Sequence, residues 1–368
     1  MHCKRVPEIQ ITQTTARPKR ARPIVIIGAG GIVRDAHLPA YGKAGFPVAG
    51  ILDRDHSRSQ ALASRFRISR VYESLDETVR EAPADTVFDV AVPASAILEI
   101  LPSLPDGSGV LIQKPLGENL EQATAIRAVC RQKRLVAAVN FQLRFAPLAL
   151  AARSLIEQGL IGELHEMEFR VTVYTPWHLW TFLEGLARVE ILYHSIHYLD
   201  LIRAFLGEPC GVHALTLKHP KAPKLAATRS TLLLNYGESV RAQISTNHGH
   251  EYGSRHQESF VKWEGTQGAI KATLGVLLNY PKGEADRLEY CLLAPEAEPQ
   301  WLNLPLVGNW FPDAFIGSMS SLMCFLEGSS SALPTSVEDA YKTMALVEAC
   351  YRSSENGGRM PLFEDGLQ

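Results

Sequence analysis

Ile24-Val25-Ile26-Ile27-Gly28-Ala29-Gly30-Gly31-Ile32-Val33 is the stretch on which the fold turns. Its first four residues are apolar without alternation, as in a strand covered on both faces. A glycine turn follows, and then helix-compatible sequence, which is the setting in which a Gly-x-Gly turn binds a dinucleotide. Gly28 permits the tight turn, and Gly30 lets a pyrophosphate reach the backbone. Gly31 and Ile32 open the positive end of the helix toward it. Val33 stands where the fingerprint has a third glycine and should push the helix off the strand. The plain alternative is a βα turn that binds nothing.

Outward from this turn the pattern repeats. Val48 to Leu52 is a second apolar run, followed by helical spacing from Ser57 to Phe66, and Val87 to Val92, Val110 to Ile112 and Leu135 to Val139 add further runs. Short apolar strands alternating with helices predict a buried parallel sheet, hence an α/β domain. Asn119 with Gln122 three residues on resembles a capping box. Asp53 ends the second strand, where a carboxylate accepts the ribose hydroxyls of adenosine and repels a 2′-phosphate, which favours NAD. Arg54 beside it would attract that phosphate or stack on adenine, so NADP stays open. Pro93, just past the third strand, is taken as another wall of the cofactor site.

The chain has 368 residues, 46% hydrophobic and 21% charged, enough for two domains. Its 37 basic and 39 acidic side chains give a formal charge of −2, with no surplus to drive binding to nucleic acid or anionic lipid. No apolar stretch is long enough to span a bilayer and no secretory h-region is present, so a cytoplasmic protein is expected. Six cysteines without a C-x-x-C spacing read as reduced thiols. Residues 1–22 carry Lys4, Arg5, Arg17, Lys19, Arg20 and Arg22 against Glu8 and read as a flexible basic arm. A dinucleotide-binding domain is placed at 23–142, and a substrate-binding and oligomerisation domain at 143–368.

Past residue 163 the period changes. Met167, Phe169, Val171 and Val173 alternate with Glu166, Glu168, Arg170 and Thr172, as in a strand buried on one face. Val240 to Thr246 behaves likewise. Further strands are expected at 212–217, 231–235, 259–263, 276–278 and 288–293, with helices at 191–205, 311–326 and 336–352. This is an α+β domain on a mostly antiparallel open sheet.

Gln113-Lys114-Pro115-Leu116-Gly117, taken with the glycine turn, resembles the Gfo/Idh/MocA oxidoreductases, whose Rossmann domain carries an E-K-P motif at a strand end. Gln142-Leu143-Arg144-Phe145-Ala146-Pro147 is similar to the family's inter-domain segment, Gly159-Leu160-Ile161-Gly162 to its turn into the second sheet, and Trp263-Glu264-Gly265-Thr266-Gln267-Gly268 to its late G-T-x-G turn. Its chemical centre, D-x-G-x-H-x-x-D, is matched by Tyr193-His194-Ser195-Ile196-His197-Tyr198-Leu199-Asp200. Tyr193 replaces the first acid, Ser195 the glycine, and Gln113 the Glu before the lysine. The resemblance implies a sugar, polyol or glycoside substrate, a homodimer or homotetramer, and Arg144 at the domain junction, touching cofactor or substrate.

The same residues suit that chemistry on their own terms. Oxidising a secondary alcohol needs a base for the hydroxyl proton, and a histidine suits this near neutrality. A lysine at the sheet's carboxyl edge can stabilise the alkoxide. Lys114 and His197 are therefore assigned the chemistry, with Tyr193 orienting substrate or relaying the proton. His194, Trp177 and Trp180 are assigned to substrate, although Tyr174, Trp177, His178, Trp180 and Phe182 fit a hydrophobic core equally well. His194, His197 and Asp200 show only partial metal spacing, so no metal is expected. Asn247-His248-Gly249-His250, with His256, reads as a turn at the surface or the pocket rim. The expected activity is NAD(P)-dependent dehydrogenation of a CH–OH group. The alternatives are a sensor that binds cofactor without turnover, and oxidation that initiates elimination on a glycoside.

Overall fold

The computed structural model describes residues 10–357. Its first sheet contains β1 (Ile24–Ile27), β2 (Val48–Leu52), β3 (Val87–Val90), β4 (Gly109–Ile112) and β5 (Val136–Val139), all parallel in the order β2-β1-β3-β4-β5. A parallel bridge from Ile51 to Val71 adds one rung beyond β2. The chain leaves β1 toward β2 and returns to its other side as β3, so the crevice between their carboxyl ends is a topological switch point, the usual ligand site of such sheets. All four residues of β1 are buried because helices cover both faces. One of the covering helices, Asp313–Leu326, comes from the far end of the chain and packs Phe315, Met319 and Leu322 into a core shared with Ile24, Ile26 and Leu111.

The second sheet contains β6 (Leu164–Thr172), β7 (Gly211–Leu217), β8 (Arg229–Asn235), β9 (Arg241–Asn247), β10 (Glu258–Gly265), β11 (Gly268–Thr273), β12 (Arg287–Leu292) and β13 (Leu302–Leu304), in the order β13-β12-β11-β10-β6-β9-β8-β7. Neighbours are antiparallel except β6 and β9. Met167, Phe169 and Val171 face the core, while the opposite face carries the ion pairs Arg241–Glu166, Lys262–Glu168 and Arg170–Glu258. The expected strand at 276–278 is instead a 3-10 turn, Gly275–Leu277, and the strand lies just before it as β11. The chain doubles back there so tightly that a Cβ on Gly275 would sit 2.3 Å from the Glu284 carbonyl oxygen.

Residues 10–22 run along the body, while residues 1–9 of the arm lie outside the described residues. Thr12 N–H donates to Ser154 Oγ, Gln13 exchanges bonds with Pro305 and Val307, and Lys19 N–H donates to Glu327.

Candidate active site

Gly28 adopts φ +116°, and a Cβ there would meet the Ala91 carbonyl oxygen at 2.3 Å, so only glycine lets the turn sit on the end of β3. Gly30 has nothing within 4 Å of its Cβ position. The N–H groups of Gly30, Gly31 and Ile32 meet no acceptor among the described residues, and no side chain caps the helix start. An open cradle of unused donors at a helix N-terminus fits a dinucleotide pyrophosphate. Val33 is fully buried, and the first turn from it, Val33–His37, is π-helical, a wider turn that accommodates the side chain. Asp53 holds the turn, its carboxylate accepting from Ala29 N–H at 2.5 Å and from Asp55 N–H at 2.8 Å. The Arg54 guanidinium is paired with Glu99. Pro93 is exposed at the end of β3, beside the turn.

Lys114 follows β4 and donates from Nζ to the backbone carbonyl of Tyr193 at 2.6 Å. This bond joins the first sheet to the π-helical turn Ile191–Ser195, which leads directly into the helix Ile196–Leu206. Burial lowers the Lys114 ammonium to about 8. His197 and His194 are both pushed well below the ordinary histidine range, first by burial, with the Lys114 charge adding to it. Both are therefore neutral imidazoles near pH 7, able to accept a proton. His197 Nδ1 is buried with no partner among the described residues, and its ring meets Trp310 edge-on at 5.7 Å.

The structure thus brings Lys114, Tyr193, His194 and His197 together, though Tyr193 enters through its carbonyl. Burial and Glu118 push its phenol up to about 12. Trp177 joins them, its ring edge-on to His194 at 5.3 Å, whereas Trp180 lies against Tyr280 at 5.6 Å and packs with Leu183, Val189 and Leu225. Tyr174 and Phe182 are exposed. Arg144 and Asp200 face one another: the Arg144 guanidinium reaches the two Asp200 oxygens at 2.6 and 2.7 Å, Asp339 at 2.6 Å and the Pro334 carbonyl at 2.9 Å. Asp200 is spent on Arg144 and Thr343 rather than on the imidazoles. Among the described residues no cluster of His, Cys, Asp and Glu is arranged to hold a metal ion.

Two groups escaped the sequence reading. His248 is fully buried rather than at the surface, because β9 carries it inward to lie 4.6 Å from the His194 ring, beside Trp177. Behind the glycine turn, Asp89 accepts from Tyr41 and from His37 Nδ1, each at 2.7 Å, while the Asn140 amide bridges His37 Nε2 and Gln113 Oε1. This buried chain ties the cofactor-side helix to the residue preceding Lys114. The signal was available, since Asp89 interrupts the otherwise apolar Val87-Phe88-Asp89-Val90.

Residues 22–141 match the model of an oxidoreductase family with an NAD-binding Rossmann fold, and residues 149–271 match the GFO/IDH/MocA C-terminal domain. A D-apiose dehydrogenase of Paraburkholderia graminis is 26% identical over 369 residues, covering 96% of this chain and 92% of its own. Two solved structures share the fold. An oxidoreductase from Agrobacterium radiobacter, in complex with NAD+, L-tartaric acid and magnesium, superposes with TM-score 0.76 at 23% identity over 92% of this chain and 98% of its own. Levoglucosan dehydrogenase with NADH and levoglucosan gives TM-score 0.76 at 18% identity, with the same coverage.

Proposed function

Because the chain belongs to the GFO/IDH/MocA oxidoreductases, we propose that it is an NAD-dependent dehydrogenase acting on a secondary alcohol of a sugar or polyol. The observation that carries this reading is the bond from Lys114 to the His197-bearing segment, which sets an ammonium and two neutral imidazoles at the carboxyl end of the cofactor sheet. A dinucleotide held through its pyrophosphate at the glycine turn would supply the hydride acceptor. The chain's own groups do the rest: Lys114 donates to the alcohol oxygen and stabilises the developing alkoxide, and His197 takes its proton. Trp177 offers an aromatic face to the C–H face of a sugar ring.

The cofactor preference follows from Asp53 and Arg54. In this reading the Asp53 carboxylate, fixed on the glycine turn, takes the adenosine ribose, and the neighbouring guanidinium is paired with Glu99. Wild type should favour NAD over NADP in kcat/KM by about 100-fold, and Asp53→Ser should narrow that ratio by about tenfold. An unchanged ratio in the variant would remove Asp53 from the adenosine site.

A panel of pentoses, hexoses, anhydrosugars and cyclitols with NAD and NADP, followed by absorbance of the reduced nicotinamide, tests the activity. Tight dinucleotide binding with no oxidation anywhere in the panel would replace the dehydrogenase with a sensor.

A further inference from the structure

Glu190 is an acid placed inside an apolar run, Val189-Glu190-Ile191-Leu192, and it is 0% exposed. Ser195 Oγ donates to its Oε1 at 2.8 Å across the π-helical turn, a spacing of five residues that the wider turn brings into register. Its Oε2 has no partner among the described residues. Facing Oε1 at 3.5 Å is Nε2 of His248, itself without a hydrogen-bond partner among the described residues, while Nδ1 of that ring bonds Thr175 Oγ1 at 2.9 Å. Among the described residues, His248 is the one imidazole of this cluster with a carboxylate within 4 Å; His194 and His197 have none.

We propose that Glu190 and His248 are the pocket's proton store: the proton taken from the substrate hydroxyl comes to rest on His248, against Glu190, before it leaves to water. The inference rests on the dehydrogenase reading above. In the oxidation the carbon–hydrogen bond breaks with its electron pair going to the nicotinamide. The oxygen–hydrogen bond breaks with its proton going to an imidazole, and the carbonyl forms. His197 and His194 are held neutral by burial and by the Lys114 ammonium, so neither keeps the proton at low cost. At His248 a carboxylate oxygen of Glu190 faces the ring nitrogen at 3.5 Å, so a proton arriving there is held as part of a buried charge pair.

The other groups packed around Glu190 are poor acceptors or donors for this purpose. Tyr198, Cys350 and Tyr351 all have their proton loss made harder by burial and by the Glu190 charge, and the Tyr351 oxygen already accepts from Leu192 N–H. Arg188 lies over the Tyr351 ring with its charge on Glu348.

The test uses the full chain with Glu190→Gln, which keeps the size and the serine contact, and His248→Asn as a second variant. Ring-nitrogen NMR of the free protein at about pH 6.5 should show a larger protonated fraction of His248 in wild type than in Glu190→Gln. In the kcat profile, Glu190→Gln should move the acid limb lower by about one pH unit and reduce the plateau by about 10- to 100-fold, with dinucleotide affinity unchanged. After rapid mixing, wild type should release its proton to an indicator dye later than it reduces the nicotinamide, and both variants should lose that lag. Equal protonated fractions, or a lower plateau with an unmoved limb, would reduce the pair to a packing role. A wild type that binds no dinucleotide would sink the dehydrogenase reading itself, and the NMR contrast would still show whether the pair exists.

Discussion

Lys114→Met is expected to lower kcat/KM by at least about 100-fold and, at pH 7, to melt above wild type. The loss follows from position. Lys114 is the cation at the carboxyl end of β4, bonded to the turn that leads into the His197 helix, and methionine fills its volume without charge or donors. The gain in stability follows from burial, which lowers the ammonium to about 8 while one carbonyl is its only hydrogen-bonding acceptor among the described residues. A lysine with a depressed folded-state pKa binds fewer protons than the unfolded chain between that value and the ordinary lysine range. Wild-type stability is therefore penalised fully below about pH 8, and the penalty disappears as pH rises toward the ordinary value. The melting advantage of Lys114→Met should shrink over the same interval. Thermal melts at pH 7 and pH 10, beside steady-state kinetics with NAD, check both halves. Activity lost together with stability would mark Lys114 as a structural residue. The imidazoles should also respond: the Lys114 charge adds to burial in lowering them, so its removal should move the acid limb of the kcat profile to higher pH.

The elements that were legible from sequence are those whose signal is local. The glycine turn after an apolar run, the Asn119 cap that accepts from Gln122 N–H, and the alternation of Met167, Phe169 and Val171 each depend on neighbours a few residues away. Lys114 and His197 were singled out through the family resemblance, and the structure brings the segments that carry them together. What escaped depends on contacts between distant segments. His248 sits beside Asn and Gly, residues that normally mark a surface turn, and the pairing of β9 between β6 and β8 carries it into the interior. Asp200 has the spacing of a site residue relative to His197, yet its partner comes from a segment 56 positions earlier in the chain. No periodicity announces that pairing. Tyr193 shows the same limit in a finer form, since its residue type suggested a hydroxyl and the structure uses a carbonyl that any residue would provide.

Asp200→Leu should destabilise the fold by about 3–5 kcal/mol, more than the loss of any exposed ion pair on the second sheet. Asp200 is buried at the crossing of three segments. It accepts twice from Arg144 on the turn after β5 and once from Thr343 on the helix Val337–Glu355, while it rides on the helix that carries His197. Removing it leaves a buried guanidinium with Asp339 alone to offset it, and Asp339 is shared with Arg203. Arg144→Met should behave differently with pH. Burial already raises the Asp200 carboxyl above its ordinary value against the pull of Arg144, and without that arginine it rises further. A carboxyl whose folded pKa lies above its unfolded one loses stability as pH climbs between the two values. The deficit of Arg144→Met relative to wild type should therefore be smaller at pH 5 than at pH 8. Urea denaturation at both pH values measures it. Combining Arg144→Met with Asp200→Leu removes both charges at once, so the double variant should be markedly more stable than the sum of the single losses predicts. Strict additivity would mean that the two residues act separately, and that the segment bearing His197 is held to the cofactor sheet by packing and the Lys114 bond alone.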